Sequence, residues 1–210
     1  MTFDIDCRRC PRLAGFLDQV KRDHPDYHAR PVAPFGAARA RLLIVGLAPG
    51  MHGANASGRP FTGDHAGILL YATLHRFGFS NRPVSTAASD DLQLLDCRIT
   101  NALKCLPPQN KPRGAEIDNC NGFLRRELAQ LPRAGVLLAL GGVAHRAIVK
   151  AVGARQSVFP FGHGAEHRLD NGLILLDSYH CSRYNTQTRR LTPEMFEAVF
   201  ARARALLQAS

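Results

Sequence analysis

Cys7 and Cys10 form a C-x-x-C pair, and Cys105 and Cys120 are separated by fourteen residues. A two-residue spacer lets two thiolates reach one metal centre from a tight turn. Four thiolates suit a [4Fe–4S] cluster or a structural zinc ion, and spacing alone does not choose between them. A second unusual stretch is GLAPGMHGANASGRPFTGDHAG, residues 46–67. It is glycine-rich and follows the apolar run Leu42–Val45, as a phosphate-cradling loop would. It lacks the lysine of a Walker loop, and its glycines do not fit G-x-G-x-x-G. It carries one carboxylate, Asp64, and one phenyl ring, Phe61. Two further polar groups stand just after apolar runs: Asn101 after CRIT, and His180 in SYHCS.

Something must bring these residues together. Arg41–Val45, Cys97–Thr100, Val136–Leu140 and Leu173–Asp177 are short, continuous apolar runs. Strands covered on both faces produce such runs. Helical patterns lie between them. Gly67–Phe77 places Leu70, Leu74 and Phe77 on one stripe, and Glu116–Leu131 does so with Phe123, Leu124, Leu128 and Leu131. Val143–Val152 is short and apolar. A last helix starts with Thr192 as N-cap and Pro193 at the first position, with Phe196, Val199, Phe200, Ala203 and Leu207 as its stripe. Asn81–Asp91 is polar, aperiodic and read as an exposed loop. Strand–helix alternation predicts a parallel sheet between helices. Ligands bind such sheets outside the carboxyl ends of the strands, so the glycine-rich loop, Asn101 and His180 are expected to converge there.

The chain has 210 residues and net charge +10, with 27 basic against 17 acidic residues. One α/β domain spanning residues 1–210 is expected. The charge favours a polyanionic partner, nucleic acid first. However, 23 of the 27 basic residues are Arg, a bias that a GC-rich genome also produces. No apolar run approaches the roughly 20 residues of a membrane helix. The opening MTFDIDCRRCPRLAGF has acids and cysteines where a signal peptide has a long apolar stretch. A cytoplasmic protein with reduced cysteines is the expectation, nucleoid-associated in a prokaryote. Cys97 and Cys181 are assigned to packing.

Taken together, C-x-x-C-P-R-L (Cys7–Leu13), GLAPG…GRPFTGD-x-AG (Gly46–Gly67), ITNALKC-x-PP-x-NKP (Ile99–Pro112), Cys120 and H-x-S-x-x-N (His180–Asn185) resemble the iron–sulfur uracil-DNA glycosylases, and among them the family 5, or type b, enzymes. The resemblance implies a three-layer α/β/α sandwich with a central parallel four-stranded sheet. It implies a [4Fe–4S] cluster on Cys7, Cys10, Cys105 and Cys120. The implied reaction is hydrolysis of the N-glycosidic bond of deoxyuridine in DNA, with hypoxanthine and other deaminated bases as further substrates and a monomer as the working form. Phe61 matches the position that stacks on a base extruded from the duplex, with Gly46 and Ala48 lining its pocket. Asn101 matches the amide that pairs with the base edge, and His180 the donor to the departing base. Type a enzymes have an acid at the second position of the first loop, where this chain has Leu47. The type b pattern substitutes Asp64, whose alternative role is to cap the following helix. Arg183 or Tyr184 matches the DNA wedge, with Arg189 and Arg190 near phosphates and Lys104, Lys111 and Arg113 as further backbone contacts. Cys181 stands where the superfamily often has Pro. Two alternatives remain: a non-catalytic Fe–S or zinc DNA-binding module, and a zinc-stabilised hydrolase of free nucleosides or nucleotides.

Overall fold

The computed structural model describes residues 3–209, so Met1, Thr2 and Ser210 of the expected 1–210 domain lie outside the described residues. The elements run α1 (Pro11–Asp23), β1 (Phe35–Gly36), β2 (Leu42–Gly46), α2 (Ala54–Ser57), α3 (His65–Arg76), β3 (Cys97–Asn101), α4 (Gly114–Leu128), β4 (Val136–Leu140), α5 (Gly142–Ala151), β5 (Glu166–Arg168), β6 (Ile174–Ser178), α6 (Arg183–Gln187) and α7 (Pro193–Gln208). The sheet order is β1-β3-β2-β4-β6-β5. The four central strands are parallel, as expected, and β1 and β5 add antiparallel edges. These edges, two and three residues long, are too short to carry an alternating pattern.

Alternation along the central strands builds the layers. Leu42, Ile44, Ile99, Val136, Leu138, Ile174 and Leu176 face α3 and α7, where Leu70, Leu74, Phe196 and Phe200 meet them. Leu43, Val45, Leu137, Ala139 and Leu175 face α4 and α5, against Leu124, Leu128, Ala147 and Ile148. The result is a three-layer α/β/α sandwich. A smaller apolar cluster binds α1, through Leu13, Leu17 and Val20, to Leu103, Leu106 and Phe123. Thr192 caps α7 as the sequence requires, its Oγ1 accepting from Met195 N at 3.2 Å. Arg12 adds a fork onto Glu116, 2.7 Å from each carboxylate oxygen, and so ties α1 to the start of α4.

The strap before β5 is held from beneath. His145 on α5 donates through Nδ1 to Asp177 Oδ1 and through Nε2 to Phe159 O, both at 2.8 Å. Both ring nitrogens face acceptors, so the bonded imidazole carries two protons. Burial lowers its pKa, but hydrogen bonding to Asp177 and that carboxylate's charge outweigh burial, and the net direction is upward. A raised histidine pKa stabilises the fold fully below about pH 6.5, the unfolded value, and that contribution fades as pH rises through the folded value. His145→Gln should therefore cost about 1–3 kcal/mol at pH 6 and less at pH 9. Thermal midpoints of both proteins across that range test this, and a gap that does not shrink would remove the charged pair.

Candidate active site

The loops leaving β2, β3, β4 and β6 enclose a cavity of about 510 Å³ at the carboxyl rim of the sheet. Phe61, Asp64, Asn101 and His180 all line it, together with Ala48, Arg183 and Tyr184. Residues far apart in sequence thus meet as the sheet topology requires. Gly46 lies beneath the wall, paired with Asn101 in the β2–β3 register. A Cβ on Gly46 would stand 2.4 Å from Asn101 Oδ1 and 2.6 Å from Phe61 Cζ. The missing side chain is what lets amide and ring approach each other. Leu47 also lines the cavity, so an apolar group occupies the position where an acid was absent from the sequence.

Phe61 is 6% exposed and packs with the larger core cluster while its ring edges the cavity. Its backbone is left-handed, φ +59°, a conformation that costs a non-glycine residue about 1–2 kcal/mol. Neighbours hold it there. Tyr71 donates its hydroxyl to Pro60 O at 2.7 Å. Thr62 Oγ1 and Ser85 Oγ are 2.6 Å apart. Buried Arg59 pairs with Asp90, donates to Ala88 O at 2.7 Å and lies over the Phe35 ring. The segment 81–91, read from sequence as an exposed loop, is largely so, but its Asp90 anchors the ring-bearing turn. Arg59 and the backbone amides of Thr86, Ala87 and Leu92 outweigh burial and hold the Asp90 carboxyl far below the usual range.

Asp64 precedes α3 but makes no side-chain bond to that helix. The capping role is therefore not the one adopted. Its Oδ2 accepts from Ala54 N at 3.1 Å, and the carboxylate packs against Gly50 and Gly53. A Cβ at either glycine would come within 2.1 Å of Oδ1. The loop's glycines make room for a carboxylate rather than for a phosphate. Burial pushes the Asp64 pKa up, against the opposing bonds from Ala54 and Gly50.

Asn101 Oδ1 and His180 Nδ1 are buried without a hydrogen-bond partner. Such atoms cost about 1–3 kcal/mol each, which a ligand that meets them returns. Burial pushes the His180 pKa down to about 4, so the imidazole is neutral near pH 7. Asn185 Nδ2 fixes the chain here by donating to His180 O at 2.8 Å. Other wall residues carried little signal in sequence: Leu140, Gly142 and Val143 at the start of α5, and Asn110, whose φ is +55°.

The cavity mouth holds Arg183 and Tyr184, the latter 70% exposed. Arg190 is engaged at 4.7 Å over the Tyr179 ring. Arg189 lines a second groove, between α3 and the start of α7, that shares His65 with the first. Lys104 contradicts its expected place at the surface. Its side chain is 2% exposed and its Nζ lies 2.7 Å from Glu127 Oε1. A buried carboxylate on α4 draws it inward.

Cys7, Cys10, Cys105 and Cys120 come together in the cluster between α1, the loop after β3 and α4. All are free thiols. Burial pushes the Cys105 thiol up, and its three neighbours add to this. Burial pushes Cys120 up to about 11, with Lys104 opposing. Cys97 and Cys181 are fully buried, consistent with packing. His145, His167 and Asp177 also lie close together, but both His145 nitrogens are already donors. A metal there would require His145 to give up one of these two bonds.

A family model described as the Uracil DNA glycosylase superfamily matches residues 33–204. A Type-5 uracil-DNA glycosylase of Thermus thermophilus is 47% identical over 206 residues, 95% of this chain and 93% of the relative. One from Pyrobaculum aerophilum is 41% identical, over 96% and 89%. A Type-4 uracil-DNA glycosylase of Archaeoglobus fulgidus is 33% identical over 141 residues, 67% and 57%.

The glycines themselves are testable. Gly53→Ala should displace the Asp64 carboxylate and lower the melting temperature by several degrees. Gly122→Ala in α4 meets nothing within 4 Å and should gain about 0.5–1 kcal/mol. Calorimetry of the two variants checks the contrast, and equal shifts would show that the close approach has no energetic weight.

Proposed function

We propose, starting from the fact that this chain belongs to the uracil-DNA glycosylase superfamily, that it excises uracil from DNA through the cavity at the sheet rim. The enzyme hydrolyses N-glycosyl bonds and acts on DNA in repair. The observation that carries the site assignment is the pair of unpartnered atoms, Asn101 Oδ1 and His180 Nδ1, lining one cavity beside the Phe61 ring. An extruded base stacks on Phe61, at a flipping cost of a few kcal/mol. The Asn101 amide pairs with its edge, Oδ1 accepting from N3–H and Nδ2 donating to the adjacent carbonyl. The bond between C1′ and the base nitrogen breaks, and its electron pair leaves with the base. Neutral His180 donates a hydrogen bond to the base oxygen as charge builds there, without the cost of discharging a cation. Asp64 faces the sugar side, where its carboxylate stabilises positive charge and takes the proton of the attacking water. The products are the free base and an abasic site, where base excision repair begins.

The cavity has room beyond a pyrimidine, which supports hypoxanthine and other deaminated bases as additional substrates. Tyr184 and Arg183 at the mouth suit insertion into the vacated stack, with Arg189 and Arg190 toward the phosphates. We take the working form to be a monomer whose residues 1–210 form one domain. We place it in the cytoplasm with the chromosomal DNA. Among the described residues, no helix is long and apolar enough to cross a membrane. A non-catalytic DNA-binding module would have no use for unpartnered polar atoms at the cavity wall.

The four cysteines fit a [4Fe–4S] cluster. Cys7, Cys10, Cys105 and Cys120 pack together between α1, the loop after β3 and α4. The donor set is all thiolate, and Lys104 N and Asn119 Nδ2 donate to the Cys120 and Cys10 sulfurs at 3.3 and 3.6 Å. When bound, the cluster supplies thiolate–iron bonds that cross-link α1 to α4 and the loop after β3.

His180→Ala should slow single-turnover uracil release by about 100-fold or more, with iron content unchanged. Undiminished release would remove His180 from the mechanism. The acid limb of the pH–rate profile should follow the raised Asp64 pKa, with rate lost as pH falls and the carboxylate protonates. Asp64→Asn should lower the rate and abolish that limb. Cys105→Ala should lose iron and the brown colour, and a full iron complement would refute the ligand assignment.

A further inference from the structure

Lys104 is buried, charged and unused by the steps above. Its ammonium donates to Asn101 O at 3.0 Å and to Thr100 Oγ1, and it forms an ion pair with Glu127 Oε1 at 2.7 Å. Its own backbone N–H donates to Cys120 Sγ at 3.3 Å. One residue thus touches the peptide that carries the base-reading amide and a thiol of the cysteine site. Glu127 stands seven residues after Cys120, two turns along α4. Thiol and carboxylate therefore approach the loop after β3 from one helix.

Nothing about stability calls for such a pair. Replacing a buried ion pair by apolar residues of similar size is often neutral or stabilising, whereas removing one partner is costly. What the pair adds is geometry. The end of β3 is fixed twice, and at Gly46 the Asn101 amide and the Phe61 ring fill the space a Cβ would take, so a small shift of the strand end moves amide against ring. Ala102 N donates to Gly46 O at 2.9 Å and holds the strand laterally. Lys104 holds its carbonyl from below.

We infer that Lys104, locked by Glu127, is a positioning residue for base recognition: it fixes the Asn101 peptide from one side and the Cys120 thiol from the other, and so couples the cysteine site to the base pocket. The inference rests on the glycosylase reading above, in which Asn101 pairs with the base.

The test is a cycle of variants in the iron-loaded, full-length protein. Lys104→Met with Glu127→Leu removes both charges together and keeps the volume. Single-turnover uracil release from duplex DNA should fall tenfold or more, since small displacements of a positioned group carry penalties up to about 100-fold. The same double change introduced into Asn101→Ala should cost under twofold, because the group being positioned is already gone. Hydrogen–deuterium exchange should speed up over residues 100–106 and stay unchanged in α5 and α7. Equal losses in the two backgrounds, or faster exchange throughout the chain, would reduce Lys104 to a structural residue and overturn the inference. Should the double variant not fold, Glu127→Gln keeps the shape, and the same non-additivity with Asn101→Ala is required of it. If Asn101→Ala itself excises uracil at the wild-type rate, the assignment of Asn101 falls first, and the positioning role with it. A slowed Asn101→Ala whose loss simply adds to that of the double variant would leave the recognition assignment standing and sink only the coupling.

Discussion

The site depends on side chains that are absent. Neighbouring strands in a sheet run about 4.8 Å apart, and Gly46 faces Asn101 directly across the β2–β3 pair. Any Cβ at Gly46 would occupy the volume in which the Asn101 amide and the Phe61 ring meet. The same reasoning applies one turn later, where Gly50 and Gly53 admit the Asp64 carboxylate. Gly67 repeats it a third time: a Cβ there would meet Phe61 O at 1.9 Å. The register of two strands and four missing side chains together set the distances between ring, amide and acid. The groups on this rim are close because the backbone permits it, before any attraction between them is counted.

Much of this was visible in the residues alone, for a physical reason. Strands buried on both faces leave unbroken apolar runs, so all four parallel strands could be placed to within one residue. Their carboxyl ends then predicted that Phe61, Asp64, Asn101 and His180 would converge. What escaped was set by partners distant in sequence or by pattern too short to register. Edge strands of two and three residues have no period. The helix α1 has a stripe of Leu13, Leu17 and Val20, but the same stretch also carries the cysteine pair that dominates its chemistry. Lys104 resembles any basic residue until Glu127, twenty-three positions later, is known to be buried beside it. Asp64 satisfies the N-cap pattern by type, yet its carboxylate turns toward the glycine loop. Residue type constrained what these groups could do, and topology decided which of those options was taken.

Charge is sorted by depth. Asp64 and His180 are pushed by burial in opposite directions, the acid upward and the imidazole downward. The imidazole is thereby neutral near pH 7, and the acid keeps its charge only above a pKa raised by burial. The buried groups that remain charged are paired, Arg59 with Asp90 and Lys104 with Glu127, and each pair supports a residue of the cavity wall. Exposed pairs such as Arg8–Asp18 and Arg76–Glu197 contribute little to stability. The excess of positive charge is therefore free to act at long range, where it draws a phosphate backbone without regard to sequence. That suits an enzyme whose specificity must come from the base it extracts.

The cysteine site and the base pocket share the segment Thr100–Cys120. Its first residues end β3 and form the cavity wall, and its last belongs to α4. The segment between could not serve both unless it were held along its length. It is held by Lys104 at one end, by Cys105 and Cys120 in the small apolar cluster, and by the Arg12–Glu116 fork from α1. That cluster is the smallest of the three and cannot by itself bury enough surface to fix α1 firmly. A metal-centred cross-link at the four thiols would supply there what apolar area does not. Such a cross-link would stand in for a missing piece of core, placed beside the end of β3 where the core is thinnest.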